Sequence, residues 1–217
     1  GIHMASTIET DVAIIGAGYA GLSAALTLAR AGRSVVVLDA LAPGEGASSR
    51  SGGMIGHGHR VPYAKLIERF GPQKARELTR EGMASLEFAK ALMADEKIDA
   101  ELQATGRMRG AWTKDDYATM TRDAQALQRD LGMAVDVLSK GDVRREMAAD
   151  CYQGGVLFHA HGGVHPALLH RGLLQRARTA GALVAGRTPV TAVRREAARF
   201  IVKTPSGSID ATAVVAA

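Results

Sequence analysis

Apolar and polar positions along the chain change period several times, and each change marks an element. Residues 12–15, Val-Ala-Ile-Ile, form a short unbroken apolar run between Asp11 and Gly16, the pattern of a strand buried on both faces. Leu22, Ala25, Leu26 and Ala29 then recur at helical spacing, and Gly32 is placed to stop that helix after about residue 31. Val35, Val36, Val37 and Leu38 make a second buried strand, closed by Asp39. Residues 40–62 have no apolar period and are rich in glycine and serine, so they read as a loop. From 62 to 98 the period is helical again. Leu66, Ile67 and Phe70 lie in one turn set before a Gly71-Pro72 break, and a longer helix follows with Ala75, Leu78, Met83, Leu86, Phe88, Ala89 and Leu92.

Residues 99–113 read as strand-like and carry Arg107, Met108, Arg109 and Trp112. Residues 115–131 read as a helix, with Leu127 and Leu131 one turn apart and Gly132 as its stop. Residues 135–147 read as a strand and one short helix. In YQGGVLFHAHGGVHPALLHR, residues 152–171, a strand precedes a helix whose first turn holds Pro166. Leu169, Leu173, Ala177 and Ala180 give that helix its apolar stripe, Gly181 its stop, and His165 stands beside its N-cap. Short strands are expected at 182–185, 189–195, 200–204 and from 209 onward. The last of these contains Ala213, Val214, Val215 and Ala216 without alternation, which predicts a strand buried in a parallel sheet.

The first strand–helix–strand unit also carries the clearest chemistry. Gly16, Gly18 and Gly21 form G-x-G-x-x-G, with Ala17, Tyr19 and Ala20 between them. Gly16 allows the sharp turn, Gly18 lets backbone approach a pyrophosphate, and Gly21 lets helix and strand pack closely. The free N–H groups and the positive end of the helix dipole face the phosphates. Asp39 lies 18 residues past Gly21, where an acid accepts hydrogen bonds from a ribose 2′-hydroxyl and disfavours a 2′-phosphate. A glycine-rich turn that binds nothing is the alternative. The register of strand, glycines, helix, second strand and acid favours an adenine-dinucleotide site.

Composition narrows the remainder. The 217 residues are 47% hydrophobic, enough for one good-sized core or two small lobes. A single cysteine, Cys151, permits no intrachain disulfide and fits a reducing, cytoplasmic compartment. No apolar run approaches a membrane span, and no signal peptide is evident. Gly1, Ile2 and His3 before Met4 look like an expression scar. The net charge of +5 is spread among acids and aromatics are only 4%, so a nucleic-acid partner is not expected.

GAGYAGLSAALTLARAG, then VVVLDA, then GEGASSRSGGMI resembles the flavin-binding start of the D-amino-acid-oxidase-like superfamily, nearest to gamma-glutamylputrescine and glycine or sarcosine oxidases. That family's W-G-A-S-G-R-N-G-G stands here as Glu45, Gly46, Ala47, Ser48, Ser49, Arg50, Ser51, Gly52 and Gly53. Residues 152–166 resemble its Y-x-G-G-x-x-x-P-x-G-G-x-x-H-P segment, where a strand returns to the sheet, and Thr188-Pro189-Val190 matches its T-P-V. The resemblance implies FAD as cofactor and a Rossmann-like α/β FAD-binding domain with part of an α+β substrate domain. It places the FAD domain at 10–70 and 151–217, with a helical substrate-domain segment at 71–150 and a lead at 1–9. Beyond the glycine turn and Asp39, it implies cofactor contacts at Ala40, along 46–54 to Met54, at Val190 beside the adenine, and at Ala216 and Ala217. Chemistry agrees: Ser48, Ser49 and Ser51 offer hydroxyls, Arg50 a planar cation to a phosphate or flavin carbonyl, and Gly52 and Gly53 close approach to a flat ring.

The implied activity is oxidation of an amine or amino acid by hydride transfer to the flavin, with Arg50 the candidate for tuning flavin charge and no nucleophile triad required. A nucleotide-binding subunit without chemistry of its own is the alternative. His57 and His59 remain open among three roles. They could ligate a metal with His159, His161 and His165, carry flavin covalently, or sit in the loop near flavin or at the surface. Family members run to about twice this length, so a second polypeptide, from a cleaved precursor or a split gene, is expected to supply the C-terminal half.

Overall fold

The computed structural model describes residues 7–217, so the expected scar at 1–3 lies outside the described residues. The chain opens with β1 (Ile8–Ile15), α1 (Tyr19–Arg30), β2 (Val35–Leu38), α2 (Ala47–Arg50) and β3 (Met54–Ile55). It continues with α3 (Tyr63–Asp95), β4 (Arg107–Gly110), α4 (Lys114–Leu131), β5 (Val135–Ser139) and α5 (Lys140–Met147). Then follow β6 (Gly154–Phe158), β7 (Gly162–Gly163), α6 (Pro166–Thr179), β8 (Leu183–Ala185), β9 (Ala192–Glu196), β10 (Arg199–Thr204) and β11 (Gly207–Ala216). Two compact units result. One comprises the chain up to Gly52 with Asp95–Ala100 and His165–Ala217, the other Gly53–Ala94 with Glu101–Val164.

The first unit is a six-stranded sheet in the order β8-β2-β1-β11-β10-β9. β8, β2, β1 and β11 are parallel, and β10 and β9 add an antiparallel edge. The apolar runs set the register: Ile14 lies between Val37 and Val215, and β2 is buried along its whole length. Each such side chain removed from water stabilises the fold by about 1.5–3 kcal/mol. Helix α1 turns Gly21, Leu22, Ala25 and Leu26 inward. A Cβ at Gly21 would fall on the Gly16 carbonyl, so only hydrogen allows this packing. Gly32 (φ 75°) ends the helix, its N–H bonding to Ala29 and that of Arg33 to Leu28. Glu96 is 1% exposed and ties this unit together, its carboxylate receiving Arg30 from α1 and Arg176 from α6.

The second unit holds a three-stranded antiparallel sheet, β4-β6-β5, and a two-stranded β3-β7 ribbon. β6 therefore pairs with its own neighbours and does not return to the parallel sheet as the family pattern had implied. Its Gly154 and Gly155 fit between Tyr117 and the Arg109 carbonyl, where any Cβ would collide. The core gathers Tyr63, Leu66, Ala75, Leu127, Met133, Val135, Val156 and Phe158. Gly71 breaks α3 at φ 79° as its Gly-Pro pair predicted. Thr113 and Ser139 form capping boxes with Asp116 and Asp142, and Gly132 ends α4 in the left-handed region.

Two apolar expectations fail. Phe70 and Phe88 are exposed, because α3 buries Ala75, Thr79, Leu86 and Met93, and Phe88 lies about 200° around the helix from Leu86. In β11, Ala213 and Ala216 are exposed and Val214 and Val215 half-buried. β10 pairs only with residues 207–211, so the rest of β11 has β1 alone beside it among the described residues.

Candidate functional site

In the first unit the carboxyl ends of β1 and β2 bring the glycine turn and Asp39 together. Gly16 adopts φ 108°, and its N–H bonds the Leu38 carbonyl at 2.7 Å. A side chain there would strike the carbonyl of Ala217, whose own N–H bonds Ile15 at 2.9 Å, so Ala217 borders the turn. Gly18 opens α1 with extended backbone and no side-chain cap. The hydroxyl of Ser48 stands 3.0 Å from where a Gly18 Cβ would lie, and it accepts the Tyr19 N–H at 3.2 Å. The helix start is thus bordered by glycine backbone and one hydroxyl, a cradle that any side chain at Gly18 would crowd. That geometry and the donor set fit a pyrophosphate.

Asp39 is held from both sides. One carboxylate oxygen accepts the Ala17 N–H at 2.7 Å and the other the Leu41 N–H at 2.8 Å. Each keeps a second lone pair for a hydroxyl donor. Its backbone is bonded to Ala185 and Thr188, and Val190 packs against the cluster of Ala13, Val36 and Leu38. The T-P-V segment is therefore fastened beside the acid.

The serine loop departs from expectation in detail. Residues 47–50 wind into α2, with Gly46 extended before Ala47 and Gly52 exposed after it. The Ser49 hydroxyl is engaged by the Gly44 and Gly46 carbonyls, not free for a phosphate. Ser51 bonds the phenol of Tyr19, which burial biases toward its neutral form and which donates to the Pro166 carbonyl at 2.8 Å. Arg50 is exposed and, among the described contacts, has no partner. Ala20 and Ala40 are exposed at the mouth of the turn.

His170 of α6 was missed by sequence reasoning. It is buried, and its Nε2 donates to the Ala17 carbonyl at 2.7 Å, fixing the glycine turn from behind. The legible signal was its spacing: His170, Leu173 and Ala177 share the inward face of α6, a stripe beginning one residue later than the expected Leu169. His165 is the N-cap itself, its Nδ1 accepting the Leu168 N–H at 3.4 Å.

In the second unit Gly53 takes φ 68° and its carbonyl accepts from Val164, while Met54 pairs with Gly163 and is 65% exposed. His57 is not at the surface. It is 6% exposed and its backbone N–H bonds Nε2 of His161 at 3.2 Å, the rings 4.2 Å apart. Burial, reinforced by the adjacent His57 imidazole and by the charges of Arg107, Lys90 and Arg109, holds His161 down at about 4, and burial also lowers His57. His59 instead bonds the Leu78 carbonyl and His159 pairs with Asp136. Among the described residues no group of three or more His, Cys, Asp or Glu side chains is arranged to hold a metal. Among the described residues no helix is long and apolar enough to cross a membrane.

A parallel sheet with a glycine turn at a helix N-terminus and an acid closing the second strand defines a Rossmann-like dinucleotide-binding protein. The sequence model of the FAD dependent oxidoreductase (DAO) family matches residues 11–217, and the chain belongs to that family. It is 31% identical over 211 residues to gamma-glutamylputrescine oxidoreductase of Escherichia coli (strain K12), covering 97% of this chain and 49% of that protein. It is 28% identical over 221 residues to glycine oxidase of Geobacillus kaustophilus (strain HTA426), covering 97% and 55%. The crystal structure of glycine oxidase from Geobacillus kaustophilus superposes with a TM-score of 0.79 at 27% identity, over 97% of this chain and 55% of that one. The chain spans about half the length of the curated relatives it matches.

Proposed function

We propose that this chain supplies the adenosine- and pyrophosphate-binding part of an FAD-dependent enzyme that oxidises the C–N bond of an amine or amino acid. Family membership supports the cofactor, and the side-chain-free cradle at Gly18, with Asp39 beside it, is the observation that carries the reading. Backbone N–H groups at the start of α1 and the Ser48 hydroxyl would hold the pyrophosphate, and Asp39 the ribose. His170 and Ala217 fix the turn, and the Val190 segment offers the adenine a backbone edge. When bound, FAD supplies a two-electron acceptor, so that the substrate carbon loses hydride, its nitrogen a proton, and water hydrolyses the resulting imine to a carbonyl compound and the released amine. Arg50, exposed and without a partner among the described residues, is available to a phosphate or a flavin carbonyl.

The remaining half of a family member's length, from this chain's precursor or a second polypeptide, completes the substrate side in this reading. The lone cysteine fits a cytoplasmic location. The test is anaerobic mixing of the flavin-loaded protein with a panel of amines and amino acids while flavin absorbance is followed. Bleaching with one carbonyl product per flavin supports the proposal. Bleaching by hydroxy acids and by no amine overturns it.

A further inference from the structure

We propose that the second unit contains a pocket for an organic carboxylate with an apolar body, received by Arg107 and Arg109 of β4. The two arginines are two residues apart on one strand, so both stand on the same face of the sheet. The register sets Arg107 opposite Phe158 and Arg109 opposite Val156, placing the guanidinium groups over an apolar floor. Both line a cavity of about 520 Å³ whose walls include Tyr63, Leu127, Met133 and Phe158. That volume falls within the roughly 300–1,000 Å³ of small-ligand sites.

The charge in this cavity is unbalanced. Among the described residues neither Arg107 nor Arg109 has a hydrogen-bond or ion-pair partner, and Arg60 lines the same space. The one carboxylate lining it, Asp123, is engaged by the backbone N–H groups of Tyr63 and Ala64 at the start of α3. The histidines do not restore the balance, because burial keeps His57 and His161 neutral. His161 accepts the His57 N–H at Nε2, so its proton sits on Nδ1, a buried donor with no partner against Gly56 in the cavity wall. Two guanidinium forks grip a planar carboxylate bidentately, and Tyr63, Leu127, Met133 and Phe158 give its apolar body a surface that a phosphate would leave uncovered. The inference concerns the second unit alone and holds whatever the first unit binds.

The 217-residue chain can be titrated with 4-methylpentanoate, its amide and inorganic phosphate, by calorimetry and by the imidazole resonances of His161. Saturable one-to-one binding of the carboxylate with a shift at His161 is expected, the amide binding about tenfold more weakly or worse. Arg107→Gln with Arg109→Gln should weaken the carboxylate by about tenfold or more, and the double lysine variant should keep part of that affinity. No saturable binding, equal binding of the amide, phosphate competing on equal terms, or unchanged affinity in the glutamine variant each overturns the proposal. Should the glutamine variant fail to fold, the amide and lysine comparisons decide. Adenine-dinucleotide binding measured on the same proteins keeps the fate of this pocket separate from that of the cofactor site.

Discussion

Acidification should destabilise the protein in a window that opens well above the ordinary carboxylate range, and His161 should be the main cause there. Its imidazole is 3% exposed and pushed by burial and by nearby positive charge from an ordinary 6.5 to about 4. A group depressed on folding contributes stability in full above its unfolded value, and loses it as pH falls through the folded one. Between pH 6.5 and about 4 the unfolded chain takes up a proton that the native site refuses. At about 1.36 kcal/mol per pH unit, the whole interval is worth about 3 kcal/mol, a large share of a typical 5–15 kcal/mol. His57 is lowered too and adds in the same direction. The lowered carboxylates of this unit, Glu68, Glu77, Asp130 and Asp142, lose their contribution only as pH falls through and below their ordinary 4.5 or 3.8. Urea unfolding at half-unit steps from pH 7.5 to 4.5, followed by circular dichroism and by the fluorescence of Trp112, measures the slope. In His161→Gln, whose amide oxygen can still accept the His57 N–H, the loss from pH 6.5 to 4.5 should shrink by about 2 kcal/mol. A variant with the same slope as the wild type would refute the argument.

Further expectations concern the first unit. Gly18→Val should leave the fold intact but abolish dinucleotide binding, since its side chain would press on Ser48 and the phosphate cradle; full cofactor occupancy would remove the turn from the site. Arg50→Met should leave the thermal midpoint within the roughly 0.5 kcal/mol scatter of surface changes while lowering FAD affinity in a fluorescence titration. Unchanged affinity would exclude Arg50 from the site. Glu96→Gln should cost about 2–3 kcal/mol in denaturant unfolding, at or below the low end for broken buried ion pairs because Arg30 is 55% exposed and can rehydrate. A loss under about 0.5 kcal/mol would show that the triad is not holding α1 and α6 to Glu96.

The first strand–helix–strand unit was legible because its signals are local: apolar runs of strand length, glycines at fixed offsets, and an acid closing β2. Helix ends were equally legible at Gly32, Gly71 and Gly132, where backbone conformation itself demands the residue. What could not be read locally was pairing. Nothing in VLF at 156–158 says whether that strand joins β1 or β4, and the two glycines before it matter only once Tyr117 and Arg109 are in place. The same holds for His57 and His161, 104 residues apart and joined only in the folded unit. His170 contacts the glycine turn across 153 residues, so its motif carried no sign of the role. Ser49 shows the converse, a well-chosen residue type whose hydroxyl is turned to its own loop.

The central claim is that the cradle between Gly18, Ser48 and Asp39 holds FAD. Its most direct test is titration of the purified 217-residue chain with FAD, followed by flavin fluorescence, with ADP and NAD as competitors and the bound species identified by mass after heat release. The account predicts saturable one-to-one binding of FAD that ADP displaces and that Gly18→Val eliminates. Absence of saturable binding, or recovery of NAD alone, would contradict it.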